Sequence, residues 1–226
     1  MSGAAPPRSV KVWDLGLRLF HWLLVIAVAV AFLSAEEESA LNQWHVTAGW
    51  IAALLIAFRL VWSFVGGEHA RFSSFLRLSD IGAHVRQIVG GRADPHLGHN
   101  PLGAVAVVAL LALVAATIVT GLAGGEDAHE TIANTLLVLI ALHVTAIVVM
   151  SVLTRDNLVR AMITGRKSAS SFPEAHDARP PSRLAWPLAA IVLGVSAYLA
   201  LRIDPLAFTP HPAETGESEA NEEDDD

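Results

Sequence analysis

The sequence predicts an all-α membrane protein: a four-helix transmembrane bundle with a fifth transmembrane helix appended. Three observations predict it. Of 226 residues, 53% are hydrophobic and only 16% charged, a balance foreign to soluble domains. Five stretches reach the roughly 20 mainly apolar residues that a helix needs to cross a bilayer. The fifteen Lys and Arg residues are divided unevenly between the two sides of those stretches.

The first stretch runs from about Leu15 to Ala35. It is expected to be a permanent span and not a cleaved signal peptide, because Trp13, Arg18 and His21 interrupt its start and no small-residue cleavage pattern precedes Glu36-Glu37-Glu38. The second runs from about Trp44 to Val65 and leads into the longest polar loop, residues 66–100. Within that loop Ser79 to Val89 reads as a short amphipathic surface helix, with Phe72, Phe75 and Leu76 dipping into the membrane interface. The third runs from about Leu102 to Ala123, and Gly98-His99-Asn100-Pro101 before it reads as a helix start with Asn100 as N-cap. The fourth runs from about Ile132 to Leu153. A Ser-, Ala- and Pro-rich stretch, Ser168 to Ser182, then reads as a flexible linker before the fifth span, about Leu184 to Leu201. The expected organisation is a helical domain over 1–167, a cytoplasmic linker over 168–183, an additional helix over 184–201, and an acidic outer tail over 202–226, disordered after Pro212.

Charge orients these elements. Arg8, Lys11 and Arg18, then Arg71, Arg77, Arg86 and Arg92, then Arg155, Arg160, Arg166, Lys167, Arg179 and Arg183 all fall on one side, and only Arg202 falls on the other. This predicts a cytoplasmic N-terminus and a C-terminus outside. The net charge of −7 comes from the tail, where Glu214, Glu217, Glu219, Glu222, Glu223, Asp224, Asp225 and Asp226 supply eight negative charges. The rest of the chain is close to neutral and suggests no nucleic-acid partner. There is no cysteine, which excludes disulfides, thiolate-ligated zinc, iron–sulfur clusters and covalently attached haem, so any metal must rely on the ten histidines.

Ionisable residues inside apolar spans are costly and mark functional sites by default. His21, His45, Arg59 and His143 are such residues, with His129 at the mouth of the fourth span. His129 and His143 stand fourteen positions apart, so on a helix they share a face to within about 40° and differ in depth by about 21 Å. His45 lies at the depth of His129, and His21 near that of His143. Two couples result, each able to hold iron between neutral imidazoles as bis-histidine haem b: His45 with His129 on the outer side, His21 with His143 on the cytoplasmic side. Gly49, Gly103 and Gly121 would give a porphyrin close approach. Arg59 lies fourteen residues from His45 and points to the same face at the cytoplasmic depth, where it and Arg18 would meet haem propionates. His99, at the start of the third span, suits a proton or propionate contact, or the wall of a quinone pocket.

Each feature also has a plainer explanation. A membrane histidine can simply hydrogen-bond to a neighbouring helix, Arg59 can snorkel to the interface, and Trp13, Trp22, Trp44, Trp50 and Trp62 read as an aromatic belt. A transporter with a histidine proton relay would show repeats or broken helices, and neither is apparent. His69, His84, His96, His176 and His211 receive no role.

The stretches Trp13-Asp14-Leu15, Arg18-Leu19-Phe20-His21-Trp22, Trp44-His45-Val46 with Gly49, Phe58-Arg59-Leu60-Val61-Trp62, Phe64-Val65-Gly66, His69-Ala70-Arg71-Phe72, Gly98-His99-Asn100-Pro101-Leu102-Gly103, His129-Glu130, Leu142-His143-Val144 and Asp156-Asn157-Leu158 through Arg166-Lys167 occur in this order. Together they resemble the bacterial cytochrome b561 family, to whose superfamily the b-type subunits of nickel-iron hydrogenases belong. The resemblance covers about Val12 to Lys167. It implies a four-helix cytochrome of the bacterial inner membrane with two haem b groups, whose ligation on the first, second and fourth helices matches His21, His45, His129 and His143. It also implies electron relay between the quinone pool and a partner redox protein, either a c-type cytochrome or an oxidoreductase subunit. The alternative is a haem-containing anchor of a larger redox complex such as a hydrogenase, without quinone chemistry of its own. The fifth span and the acidic tail depart from the family pattern; the helix would suit packing against a membrane subunit, and the tail would attract a basic partner.

Overall fold

The computed structural model describes residues 8–36, 38–75, 96–172 and 174–211, with positions 82, 86 and 90. Among these are five helices long and apolar enough to cross a membrane: α1 (Leu15–Leu33), α2 (His45–Val65), α3 (Pro101–Leu122), α4 (Glu126–Thr154) and α5 (Ala185–Ile203). Successive helices run in opposite directions. The bundle thus has a basic end, where α1, α3 and α5 begin, and an acidic end, where α2 and α4 begin.

Local chemistry sets the boundaries. Asp14 caps α1, its carboxylate accepting from the Leu17 N–H at 2.9 Å. Asn100 caps α3 in the same way, accepting from the Gly103 N–H at 2.6 Å, with Pro101 in the first turn as the motif suggests. α4 starts near Glu126, earlier than hydropathy indicated, because Glu126 and Asp127 favour the positive end of the helix dipole. It stops at Arg155, which adopts a left-handed conformation at φ 54°. A short helix, Leu158–Thr164, follows and ends at Gly165, where φ 77° favours glycine. The surface helix expected at Ser79–Val89 and the tail from Pro212 lie outside the described residues, apart from helical positions 82 and 86.

α1 packs along α2, α3 along α4, and α2 also touches α3. Two helical hairpins therefore stand side by side, and α5 is appended through α2. One buried cluster at the basic end joins Leu17, Phe20, Phe58 and Trp62 with Ala185 and Ala189 of α5. Another in mid-bundle takes Ala27, Ala52, Val114 and Leu136 from the first four helices. Small residues on α5 let it approach closely, and Trp186 sets its ring 4.8 Å from that of Trp62.

Three expectations are corrected. The linker is not loose where it is described: Ala178 N–H donates to the Lys11 carbonyl, Ser182 N–H to that of Val65, and Glu68 N–H to that of Arg179. A Pro- and Ser-rich segment has few hydrogen bonds of its own, so its backbone is satisfied by the loops it crosses. At its start a two-stranded antiparallel sheet pairs Ser9–Lys11 with Arg166–Ser168 and ties the N-terminal segment to the chain after α4. The stretch 202–211, placed with the outer tail, instead finishes α5 and folds back on α2. Finally, Trp13, Trp50 and Trp62 are buried inside the protein and form no aromatic belt.

Candidate functional site

At the acidic end His45 opens α2 and His129 sits in the first turns of α4. Their ring centroids lie 6.0 Å apart with the planes at 74°. Each Nδ1 lies 2.9 Å from a backbone carbonyl, that of Ala31 for His45 and that of Thr117 for His129. A carbonyl acceptor fixes the proton on Nδ1 and leaves Nε2 as a free donor of its lone pair, the arrangement seen in metal-binding histidines. The Thr117 carbonyl also accepts from the Thr120 hydroxyl at 3.0 Å, so His129 shares this acceptor.

The two rings face a cavity of about 990 Å³ lined also by Gly49, Trp50, Thr117 and Gly121. A Cβ on Gly49 would meet nothing within 4 Å, so this glycine borders open space. A Cβ on Gly121 would stand 3.0 Å from the Nδ1 of His129, so its absence lets the ring turn towards α3. These residues fit haem b. His45 and His129 are the residues that would hold it, each with its Nδ1 engaged by a backbone carbonyl. The cavity is large enough for a cofactor, with a mainly apolar lining that also takes in Glu36, Glu126, Asp127 and Glu130. Among the described residues no group of three or more His, Asp or Glu is arranged to hold a bare metal ion.

At the basic end His21 and His143 lie within electrostatic reach of each other, and the Nδ1 of His21 is buried without a hydrogen-bond partner among the described residues. Arg59 is 1% exposed, which rules out the snorkelling explanation. Its guanidinium lies between the rings of Phe20 (5.9 Å) and Phe72 (5.3 Å) and donates through Nη1 to Ser63 Oγ and the Ala70 carbonyl. Its Nη2 is buried and unpaired among the described residues, a donor suited to a carboxylate. Phe72 thus covers Arg59, and Leu76 lies outside the described residues.

His99 packs its ring 4.8 Å from Trp13 and feels the charges of Arg59 and His143. Burial foremost, then the positive charge of Arg59, His69, Lys167 and His143, pushes its pKa down to about 3. Arg18 is brought elsewhere: its Nη2 donates to the Ile163 carbonyl, holding the short helix after α4, while its Nε is buried and unpaired. Gly103 sits at the basic end with Asn100 Oδ1 3.1 Å from where its Cβ would be, so it serves the α3 cap and does not line the cavity.

Sequence reasoning missed Asp14. Its carboxylate is buried and accepts from Leu17 N–H, Trp62 Nε1 at 2.9 Å and Gly67 N–H at 3.1 Å, and it sits near enough to Arg59 to offset part of its charge. Asp14 therefore supplies part of the counter-charge to Arg59. An Asp directly before an apolar run is a recognisable N-cap signal and could have exposed this role.

Comparison with known proteins gives the family. Residues 12–165 match the family model described as prokaryotic cytochrome b561. A probable Ni/Fe-hydrogenase B-type cytochrome subunit of Azotobacter vinelandii is 27% identical over 124 residues, 44% of this chain and 52% of that protein. One from Azotobacter chroococcum mcd 1 is 27% identical over 141 residues, 51% of this chain and 59% of that protein. One from Bradyrhizobium diazoefficiens is 22% identical over 212 residues, 70% of this chain and 86% of that protein. The chain thus spans about half the length of the two Azotobacter relatives it matches. No solved structure gives a significant match. With a match that takes in all four bundle helices and both histidine couples, the chain belongs to the prokaryotic cytochrome b561 family.

Proposed function

We propose that the protein is a transmembrane b-type cytochrome with two haem b groups, one between His45 and His129 and one between His21 and His143, that relays electrons between a quinone and a partner redox protein. The observation that carries this reading is the pair of facing imidazoles at the acidic end, 6.0 Å apart, each with its Nδ1 held by a helix carbonyl. Haem b held by these histidines would supply reversible one-electron chemistry.

The chain's own residues do the rest. Ala31 and Thr117 orient the acidic-end rings and raise their basicity as ligands. Arg59 offers a desolvated cation at the basic end, with His99 within reach of its charge, while Arg18 holds the Ile163 carbonyl. The excess of Lys and Arg at the basic end supports a cytoplasmic placement of that end in a bacterial inner membrane. A quinone would exchange protons near His99, and a partner would dock at the opposite, acidic end. The names of the relatives favour a second reading, a haem-containing anchor subunit of a hydrogenase-like complex. It uses the same helices without quinone chemistry.

The test is a dithionite-reduced minus oxidised spectrum of the purified protein, with haem b counted per chain by pyridine haemochrome. Two low-spin haems are expected, with His129→Ala losing one and His143→Ala the other. A colourless protein, or two haems retained in both variants, would overturn the assignment. Reduction by a quinol analogue separates the relay from the anchor.

A further inference from the structure

The first turns of α2 are held from outside the family-matched region. His211 N–H donates to the Gln43 carbonyl at 2.8 Å, and Thr47 Oγ1 donates to the Thr209 carbonyl at 2.6 Å. Trp50 Nε1 donates to Asp204 Oδ2 at 2.8 Å. The Nε2 of His211 lies 2.9 Å from that same oxygen, and Leu206 N–H donates to Oδ1 at 2.9 Å. Gln43, Thr47 and Trp50 straddle His45 in sequence. The attachment is also packed: Trp50, Ala200 and Ala207 form one buried cluster against Ala53, Leu54 and Phe208.

Trp50 joins the two regions, since the residue borders the cavity one turn beyond His45 while its indole N–H reaches Asp204. Burial would raise the pKa of Asp204, but the bonds from Leu206, Trp50 and His211 outweigh it and keep the carboxylate ionised. Three donors converging on one carboxylate give a rigid joint, because an ionised acceptor makes shorter and stronger bonds than a neutral one.

We propose that residues 204–211 form a strap that positions His45, with Asp204 and Trp50 as positioning residues that set the axial geometry, and through it the potential, of the acidic-end haem. The inference rests on the haem reading above. α5 then has a second task besides crossing the membrane: it delivers the strap to the end of the bundle where α2 begins. Ligand orientation and the packing around a haem tune its potential, so a helix turn that is free to shift would change it.

The experiment compares wild type, Asp204→Asn and Trp50→Phe, each as the full chain purified with its haems. Asp204→Asn removes the charge and keeps the shape; Trp50→Phe keeps an aromatic ring and removes the donor. Haem content, the low-spin electron paramagnetic resonance signal and a redox titration are read for each haem, the acidic-end one being identified by its loss in His129→Ala. The expected result is a changed signal and a reduction equilibrium displaced about tenfold, about 59 mV for one electron, at the acidic-end haem alone. Loss of that haem with the basic-end haem kept supports the strap equally. Unchanged signals and potentials in both variants would overturn it. So would equal shifts, or joint loss, of both haems in both variants, since the segment would then support the bundle and not His45. A wild-type protein without haem would overturn the haem assignment itself, before any variant is compared.

Discussion

The indole N–H of Trp62 donates to the carboxylate of Asp14 at 2.9 Å, linking the last turns of α2 to the cap of α1. The same carboxylate receives Leu17 N–H and Gly67 N–H, so one buried anion closes α1, fixes a fully buried tryptophan and turns the chain after α2. Asp14→Ala should therefore cost about 3 kcal/mol, from a lost cap and two buried donors left unpaired. Asp14→Asn should cost less, because an amide oxygen can still cap. Thermal unfolding in detergent, followed by circular dichroism, checks both.

Arg59→Leu removes a buried cation from the basic end. A nearby positive charge favours the reduced, less positive haem, so its loss should lower the potential of the basic-end haem by about 59 mV for each tenfold change in its reduction equilibrium. The acidic-end haem should move far less. Redox titration decides, and equal shifts at both haems would argue against a place for Arg59 beside one of them.

Acid sensitivity should trace partly to His99. Its pKa in the folded protein, about 3, lies below the ordinary 6.5, so the fold favours the neutral ring. That preference is fully expressed above pH 6.5 and is withdrawn as the pH falls from there towards 3, at no more than about 1.4 kcal/mol per pH unit. His99→Gln should flatten the melting temperature between pH 6.5 and 4 while leaving neutral-pH stability nearly the same.

Lys167 is buried in the small sheet, 3.5 Å from Asp156 and donating to the His96 carbonyl at 2.8 Å. Burial holds its pKa below the ordinary lysine value despite Asp156. Asp156→Ala would strand that ammonium and should cost about 3 kcal/mol, whereas Lys167→Met should cost less. Melting temperatures of the two variants, measured side by side, settle the order.

The five spans were legible because hydropathy is a local property, and the meeting of His45 with His129 because both stand near the starts of their helices at one depth. The start of α3 was legible too, since Asn100-Pro101 carries its own cap chemistry. The role of Trp50 was not. A tryptophan near a helix end looks the same whether it faces lipid or meets Asp204 from far along the chain, and no periodicity distinguishes the two. The contact of Arg18 was hidden for a similar reason, since its long side chain meets the Ile163 carbonyl from far along the chain.

The two hairpins have a consequence for how the protein is made. Each histidine couple takes one ring from the α1–α2 hairpin and the other from α4, with limited contact between the hairpins elsewhere. An iron gripped by both rings would act as a rivet, closing a long loop whose entropy the bare helices must otherwise bear. Before riveting, the hairpins would meet mainly where α2 touches α3. Cofactor supply would then govern maturation, and unfilled chains would be the ones a membrane protease can pry apart.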